Sequence, residues 1–187
     1  MLARGTLRGV LHHPDPPLSD GVITLRAKSS RDVDTLVAIC SDPAIPRWTR
    51  VPSPYSRDDA LGWLAASELE LVTGRGIDWL AVDEQGEVVA NVALQGIDRE
   101  RGSAEVGYWV AAAARGRGIA TRAVRLACEW AAGELGLEAL AIIAHEDNPA
   151  SQGVARAAGY TVSGEQHVPP GDGIPDGRYV VHTLHAD

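Results

Sequence analysis

The sequence predicts an α/β (α+β) protein organised around one sheet, and three observations carry that reading. Residues 77–82 (IDWLAV), 87–96 (EVVANVALQG) and 103–110 (SAEVGYWV) are successive β-type runs joined by the turn signals DEQG and DRERG, the layout of an antiparallel meander. Segments with helical spacing precede and follow this meander, and further strands close the chain. At 187 residues the chain is long enough to bury a core around one sheet, so a single domain is expected.

Taken in order, residues 1–20 hold Pro14, Pro16 and Pro17 and nothing periodic, and read as an extended N-terminal arm ahead of a domain at 21–187. His12 and His13 are adjacent without other ligands nearby, so no metal is expected there. Residues 21–27 alternate as a strand, and 29–42 open with Ser/Asp start signals and continue with helical spacing. The prolines of 42–56 exclude a long helix, and Trp48 either shapes a pocket or anchors the loop to the core. Residues 56–72 read as an amphipathic helix capped by Ser56, with Leu61, Leu64, Leu69 and Val72 supplying its apolar stripe. After the meander, 121–135 is a helix with Val124, Ala127, Cys128 and Ala131 on or near one face, where Cys128 reads as core filling. A buried strand at 137–145, a short helix at 148–159 and strands at 160–164 and 178–185 complete the chain.

Composition narrows the function. Hydrophobic residues at 45% and charged residues at 22% are ordinary globular usage. A formal net charge of −8 argues against nucleic-acid binding and suits an amine-bearing partner as well as simple solubility. Cys40 and Cys128 lie in apolar segments without metal or redox spacing, which points to a reducing, cytoplasmic setting. No run of eighteen apolar residues and no signal-peptide pattern is seen, so neither export nor a membrane partner is expected; a homodimer is left open.

The chemistry-bearing stretch is 105–135, where a strand runs through a Gly/Arg turn directly into a helix. Such a turn presents free backbone N–H groups at the positive end of a helix dipole, a place for an anion. Gly116 and Gly118 remove side chains there, and Arg115 and Arg117 add charge. The P-loop pattern needs Lys then Ser or Thr, but Ile119 and Ala120 follow. The dinucleotide fingerprint needs a third small residue, and Thr121 stands in its place.

Within RGRGIA, Arg115, Gly118 and Ala120 fit Q/R-x-x-G-x-G/A in order, preceded by AEVGYWV and followed later by NPAS at 148–151. With these motifs the chain resembles the GCN5-related N-acetyltransferases, and within them the branch that acetylates ribosomal-protein N-termini. The resemblance implies a mixed, mostly antiparallel sheet of six to seven strands, splayed between strands four and five and flanked by about four helices. It also implies acetyl-CoA as cosubstrate and no metal. The pyrophosphate would lie on Arg115, Gly116, Arg117, Gly118, Ile119 and Ala120, with Thr121 beside them, and the pantetheine arm against Trp109, Val110, Asn148 and Ser151. Independently, Asn148 followed by Pro149 is good helix-capping chemistry, so a purely structural role for Asn148 stays open.

Acyl transfer needs a neutral amine, whereas free amines have pKa values of about 7.7 to 10.4. The resemblance places Glu105 as the general base, and the splayed strand would offer the Val110 N–H to the oxyanion. Family members often carry a tyrosine seven residues after the asparagine to serve the departing thiolate, but Ala155 is there. Ser151 matches the serine of the ribosomal branch, and Tyr160 is a further candidate or a packing residue. The expected function is therefore acetyl transfer to a primary amine, a protein N-terminus or a small molecule, in a ternary complex; the alternative is a non-catalytic acyl-CoA-binding module. Residues 43–55 and 168–177 are expected to line the acceptor side, with Asp172 and Asp176 either attracting the amine or serving as solvated turn residues.

Overall fold

The computed structural model describes residues 9–169, 171 and 174–185. Eight strands form one sheet: β1 (Leu18–Ser19), β2 (Thr24–Arg26), β3 (Ile77–Val82), β4 (Val88–Asp98), β5 (Ser103–Val110), β6 (Ala139–His145), β7 (Thr161–Val168) and β8 (Gly177–His185). Their order is β1-β2-β3-β4-β5-β6-β8-β7. Every neighbouring pair is antiparallel except β5 and β6, so the sheet is mixed and mostly antiparallel. The helices are α1 (Val33–Cys40), α2 (Arg57–Thr73), α3 (Ile119–Leu135) and α4 (Pro149–Ala157).

The strand count exceeds the expected six to seven by β1, which lies in the segment read as an arm. Its two residues pair with Leu25 and Thr24, and two residues are too few to show a period. Leu11 in the same segment is buried, and its N–H bonds the Leu71 carbonyl at 2.9 Å.

Two apolar layers cover the sheet. On one face Val124, Ala127, Cys128 and Ala131 of α3, all buried, pack with Trp79, Val92, Val106 and Ile142. On the other, Val33 and Leu36 of α1 and Ala60 of α2 pack with Leu80 and Trp109. Each large apolar side chain so buried contributes about 1.5–3 kcal/mol.

α2 begins as the sequence indicates: Ser56 Oγ accepts from Asp59 N–H at 3.2 Å, and Asp59 accepts in return from Ser56 N–H at 2.8 Å. Its inward face differs. Leu61, Leu69 and Val72 are 44%, 54% and 48% exposed, while Ala60, Trp63, Leu64, Ser67 and Leu71 face the sheet. The helix is rotated because a polar node sits on its inner side: Ser67 donates to Asp78 at 2.6 Å, Lys28 pairs with Asp78, and the Lys28 ammonium lies 4.1 Å from the Trp63 ring centre.

The splay falls where it was expected. β5 and β6 pair only from Ser103, Ala104 and Glu105 to Ala139, Leu140 and Ala141, and beyond these the ladder ends. On its other side β5 stays in register with β4 up to Val110. Ala111 N–H bonds the Val89 carbonyl at 2.9 Å. Antiparallel ladders use alternate residues, so Trp109 and Gly107 also face β4, whereas the N–H groups of Tyr108 and Val110 point into the gap.

Candidate active site

At one mouth of the gap, the chain leaves β5, makes a short 3-10 turn (Ala112–Ala114) and enters α3 through Gly116 (φ +73°) and Gly118 (φ +74°). Both glycines are left-handed, a conformation that costs an L-residue about 1–2 kcal/mol. The next helical bond is Arg122 N–H to the Gly118 carbonyl at 3.1 Å. Among the described residues, none of the N–H groups of Gly116, Arg117, Gly118, Ile119, Ala120 and Thr121 has an acceptor. Buried Ile119 and Ala120 anchor this row to the core. A cavity of about 450 Å³ opens in front of it. Orphaned donors in series at a helix start fit a diphosphate.

Arg115 is exposed and pairs with Asp42 of the loop after α1 at 2.6 Å. The Asp42 carboxyl is held below its usual range, first by the Ala44 N–H at 3.0 Å and then by Arg115. Arg117 is exposed, with no ion pair among the described residues.

The second cavity, of about 690 Å³, lies deeper between the arms of the splay. Trp48, Thr49, Tyr108, Trp109, Asn148 and Ser151 line both cavities and so form the junction between them. There the Tyr108 hydroxyl and Ser151 Oγ are 2.8 Å apart, and Tyr108 Oη lies 3.2 Å from the Ser151 carbonyl. Burial pushes the Tyr108 phenol up to about 12, so it keeps its proton at ordinary pH. Asn148 Oδ1 caps α4 by accepting from Ser151 N–H at 3.1 Å, which leaves its amide NH2 as the group available to the junction.

Glu105 stands in the larger cavity, half-buried on the same side of β5 as Trp109, with Gly107 between them. Burial raises its pKa and the charge of Arg50 opposes the rise. Trp48 serves the site: it lines both cavities and packs against His145 at a tilt of 43°, with ring centres 5.2 Å apart. His145 Nδ1 accepts from Asp147 N–H at 3.0 Å, which leaves Nε2 as the protonated nitrogen, 3.3 Å from the Asp176 carbonyl.

The structure thus gathers Glu105, Trp109, Val110, Asn148 and Ser151 with Arg115, Gly116, Gly118, Ile119, Ala120 and Thr121 along two cavities that share a wall, whereas Arg117 lines neither. Tyr160 is outside them: its hydroxyl lies 3.0 Å from Cys128 Sγ in the core, and burial pushes that thiol up to about 11. Asp176 pairs with His167 at 3.3 Å and lies outside the lining, while Asp172 lies outside the described residues. Tyr108 was missed. In sequence it is one more large residue on a strand whose neighbours Val106 and Trp109 are core, and only the divergence of β6 opens space beside it.

A fold of this kind, with such a turn at a splayed sheet, defines a class, and a family model described as the acetyltransferase (GNAT) domain matches residues 23–161. The chain belongs to that family. It is 32% identical over 102 residues to YdaF of Bacillus subtilis (strain 168), which carries the name of a ribosomal N-acetyltransferase; the match covers 54% of this chain and 51% of the relative. The chain thus spans about half the length of the curated relative it matches. Among solved structures, Mycobacterium smegmatis RimJ in complex with CoA-disulfide superposes with a TM-score of 0.82 at 19% identity, over 94% of this chain and 90% of that one. The microcin C7 self-immunity acetyltransferase MccE, in complex with acetyl-CoA and AMP, gives 0.80 at 18% identity, over 92% and 100%. At such identities these likenesses show the shared fold. No helix among the described residues is long and apolar enough to cross a membrane.

Proposed function

We propose that the protein transfers an acetyl group from acetyl-CoA to a primary amine, of a protein N-terminus or a small molecule, by direct attack in a ternary complex. The observation that carries this reading is the row of unpartnered N–H groups at the start of α3, joined through the Tyr108–Ser151 junction to the cavity that holds Glu105. In this reading Arg115 to Thr121 hold the diphosphate, and the pantetheine arm runs along Trp109, Val110 and Asn148. Acetyl-CoA supplies the activated acyl group.

Glu105 takes the proton from the incoming ammonium, directly or through a water, and its raised pKa suits that task. The Val110 N–H, which faces the gap, donates to the thioester oxygen as negative charge grows on it. Ser151 donates its hydroxyl hydrogen toward the departing sulfur, and Tyr108, 2.8 Å away, donates in turn to Ser151. This pair fills the place left empty at Ala155, and with a base of raised pKa it favours an enzyme over a passive acyl-CoA-binding module. The test is acetyl-CoA-dependent thermal stabilisation together with amine-dependent CoA release: a protein that gains no stability and releases no CoA with any amine does not have this function.

A further inference from the structure

The floor of the larger cavity is the face of β4 and β5 that carries Glu105. On it Asn91, Ala93 and Gln95 of β4 stand opposite Trp109, Gly107 and Glu105 of β5, and all six line the cavity. Side chains two residues apart on a strand are about 7 Å apart, so the Ala93–Gly107 pair leaves a notch, with only a methyl group at its base, between Trp109 and Glu105. The fold does not ask for glycine at 107. Its backbone is not left-handed, and a Cβ there would meet nothing nearer than the Gln95 amide at 3.9 Å, an ordinary contact. Glycine weakens a strand, and where neither φ nor packing requires it, it marks a place where another molecule comes close to the backbone. A second observation points the same way: Asn91 is 5% exposed and donates to the Trp79 carbonyl at 2.9 Å, while its Oδ1 has no partner among the described residues. That oxygen is left to accept from the N–H of a ligand in the cavity.

We propose that Gly107 is a specificity-determining residue, and that the notch over Gly107 and Ala93 seats the substituent on the amine-bearing carbon of the acceptor. The cavity continues from the notch towards Trp48 and Tyr179, with about 690 Å³ in all, so the body of the acceptor has room elsewhere and the group that drops onto Gly107 is a branch. The preferred acceptor is then a primary amine branched at the carbon beside the nitrogen. Its nitrogen turns towards the thioester at Val110 and stays within reach of Glu105, directly or through a water, while Asn91 accepts one of its N–H groups at the Trp109 end of the notch. An unbranched amine leaves the notch unfilled and forfeits the contact with Ala93 and Trp109. The proposal rests on the acetyltransferase reading and narrows it to a substrate class.

Amines that differ only at that carbon test it. CoA release by the full chain is measured with glycinamide, alaninamide and phenylalaninamide, and with spermidine as an unbranched amine. The wild type is expected to use alaninamide or phenylalaninamide at least as well as glycinamide in kcat/KM, and better than spermidine. Gly107→Ala should lower the ratio of the better branched amide to glycinamide by about tenfold or more, the discrimination that one carbon gives in a closed pocket, and Gly107→Val should lower it further. Stabilisation by acetyl-CoA should stay as in the wild type, and Gly107→Ala should hold or raise the Tm, since alanine suits a strand better than glycine. A glycine needed by the fold alone would instead lower the Tm and slow every amine alike. That outcome, an unchanged ratio in both variants, a wild-type preference for glycinamide or spermidine, or failure to use any of the three amides would each overturn the proposal. Acetylation of any amine without the branched preference leaves the acetyltransferase reading standing; absence of both acetyl-CoA binding and CoA release removes the two together.

Discussion

Glu105 can accept a proton only while it is ionised. Since burial lifts its pKa above the ordinary value of about 4.3, kcat/KM should fall as pH drops through that raised value. Arg50→Ala removes the opposing charge and should move this acid limb to still higher pH. Glu105→Gln should abolish the limb and lower kcat by about 10²–10⁴ while acetyl-CoA affinity, measured by thermal shift, stays nearly unchanged. Glu105 could be singled out as the proposed base because the family resemblance fixes its place in a strand that precedes a recognisable turn. The place of Tyr108 beside Ser151 was not legible: it depends on a strand that fails to meet β5, and local spacing carries no such information.

The start of α3 and the inner face of α2 make separate demands. At Gly118 a Cβ would meet nothing within 4 Å, so Gly118→Ala acts through the left-handed backbone alone. It should cost about 1–2 kcal/mol, seen as a lower Tm, and weaken acetyl-CoA binding by distorting the N–H row. Under α2, the Lys28 and Asp78 side chains are 5% and 11% exposed, and they tie the helix to β3 through Ser67. Removing one partner strands a buried charge, so Lys28→Met should lose about 3–5 kcal/mol in urea unfolding, and adding Asp78→Leu should restore part of it. The same node explains why the outward turn of Leu61, Leu69 and Val72 could not be read beforehand. Periodicity locates a helix, but where two faces both hold apolar residues the choice passes to polar partners from distant strands.

At the scale of the molecule, the sheet was legible because each long strand has its own period and turn signals, and only the two-residue β1 escaped. Cys40 and Cys128 are buried, free thiols, and Cys128 lines neither cavity. Incubation with acetyl-CoA should therefore leave no acylated protein by mass spectrometry, and initial rates should give intersecting rather than parallel lines. The loop between α1 and α2 holds Arg115 through Asp42 at one end and rests Trp48 on His145 at the other, with Arg50 close behind. Asp42→Asn would free Arg115 and remove a charge that repels phosphate, so acetyl-CoA should bind several-fold more tightly at low salt, an effect that titration at rising ionic strength should erase. One short span of chain is thus a shared wall for two different guests. Any drift in its residues that retunes the amine will be felt by the nucleotide as well, and selection on either preference constrains the other.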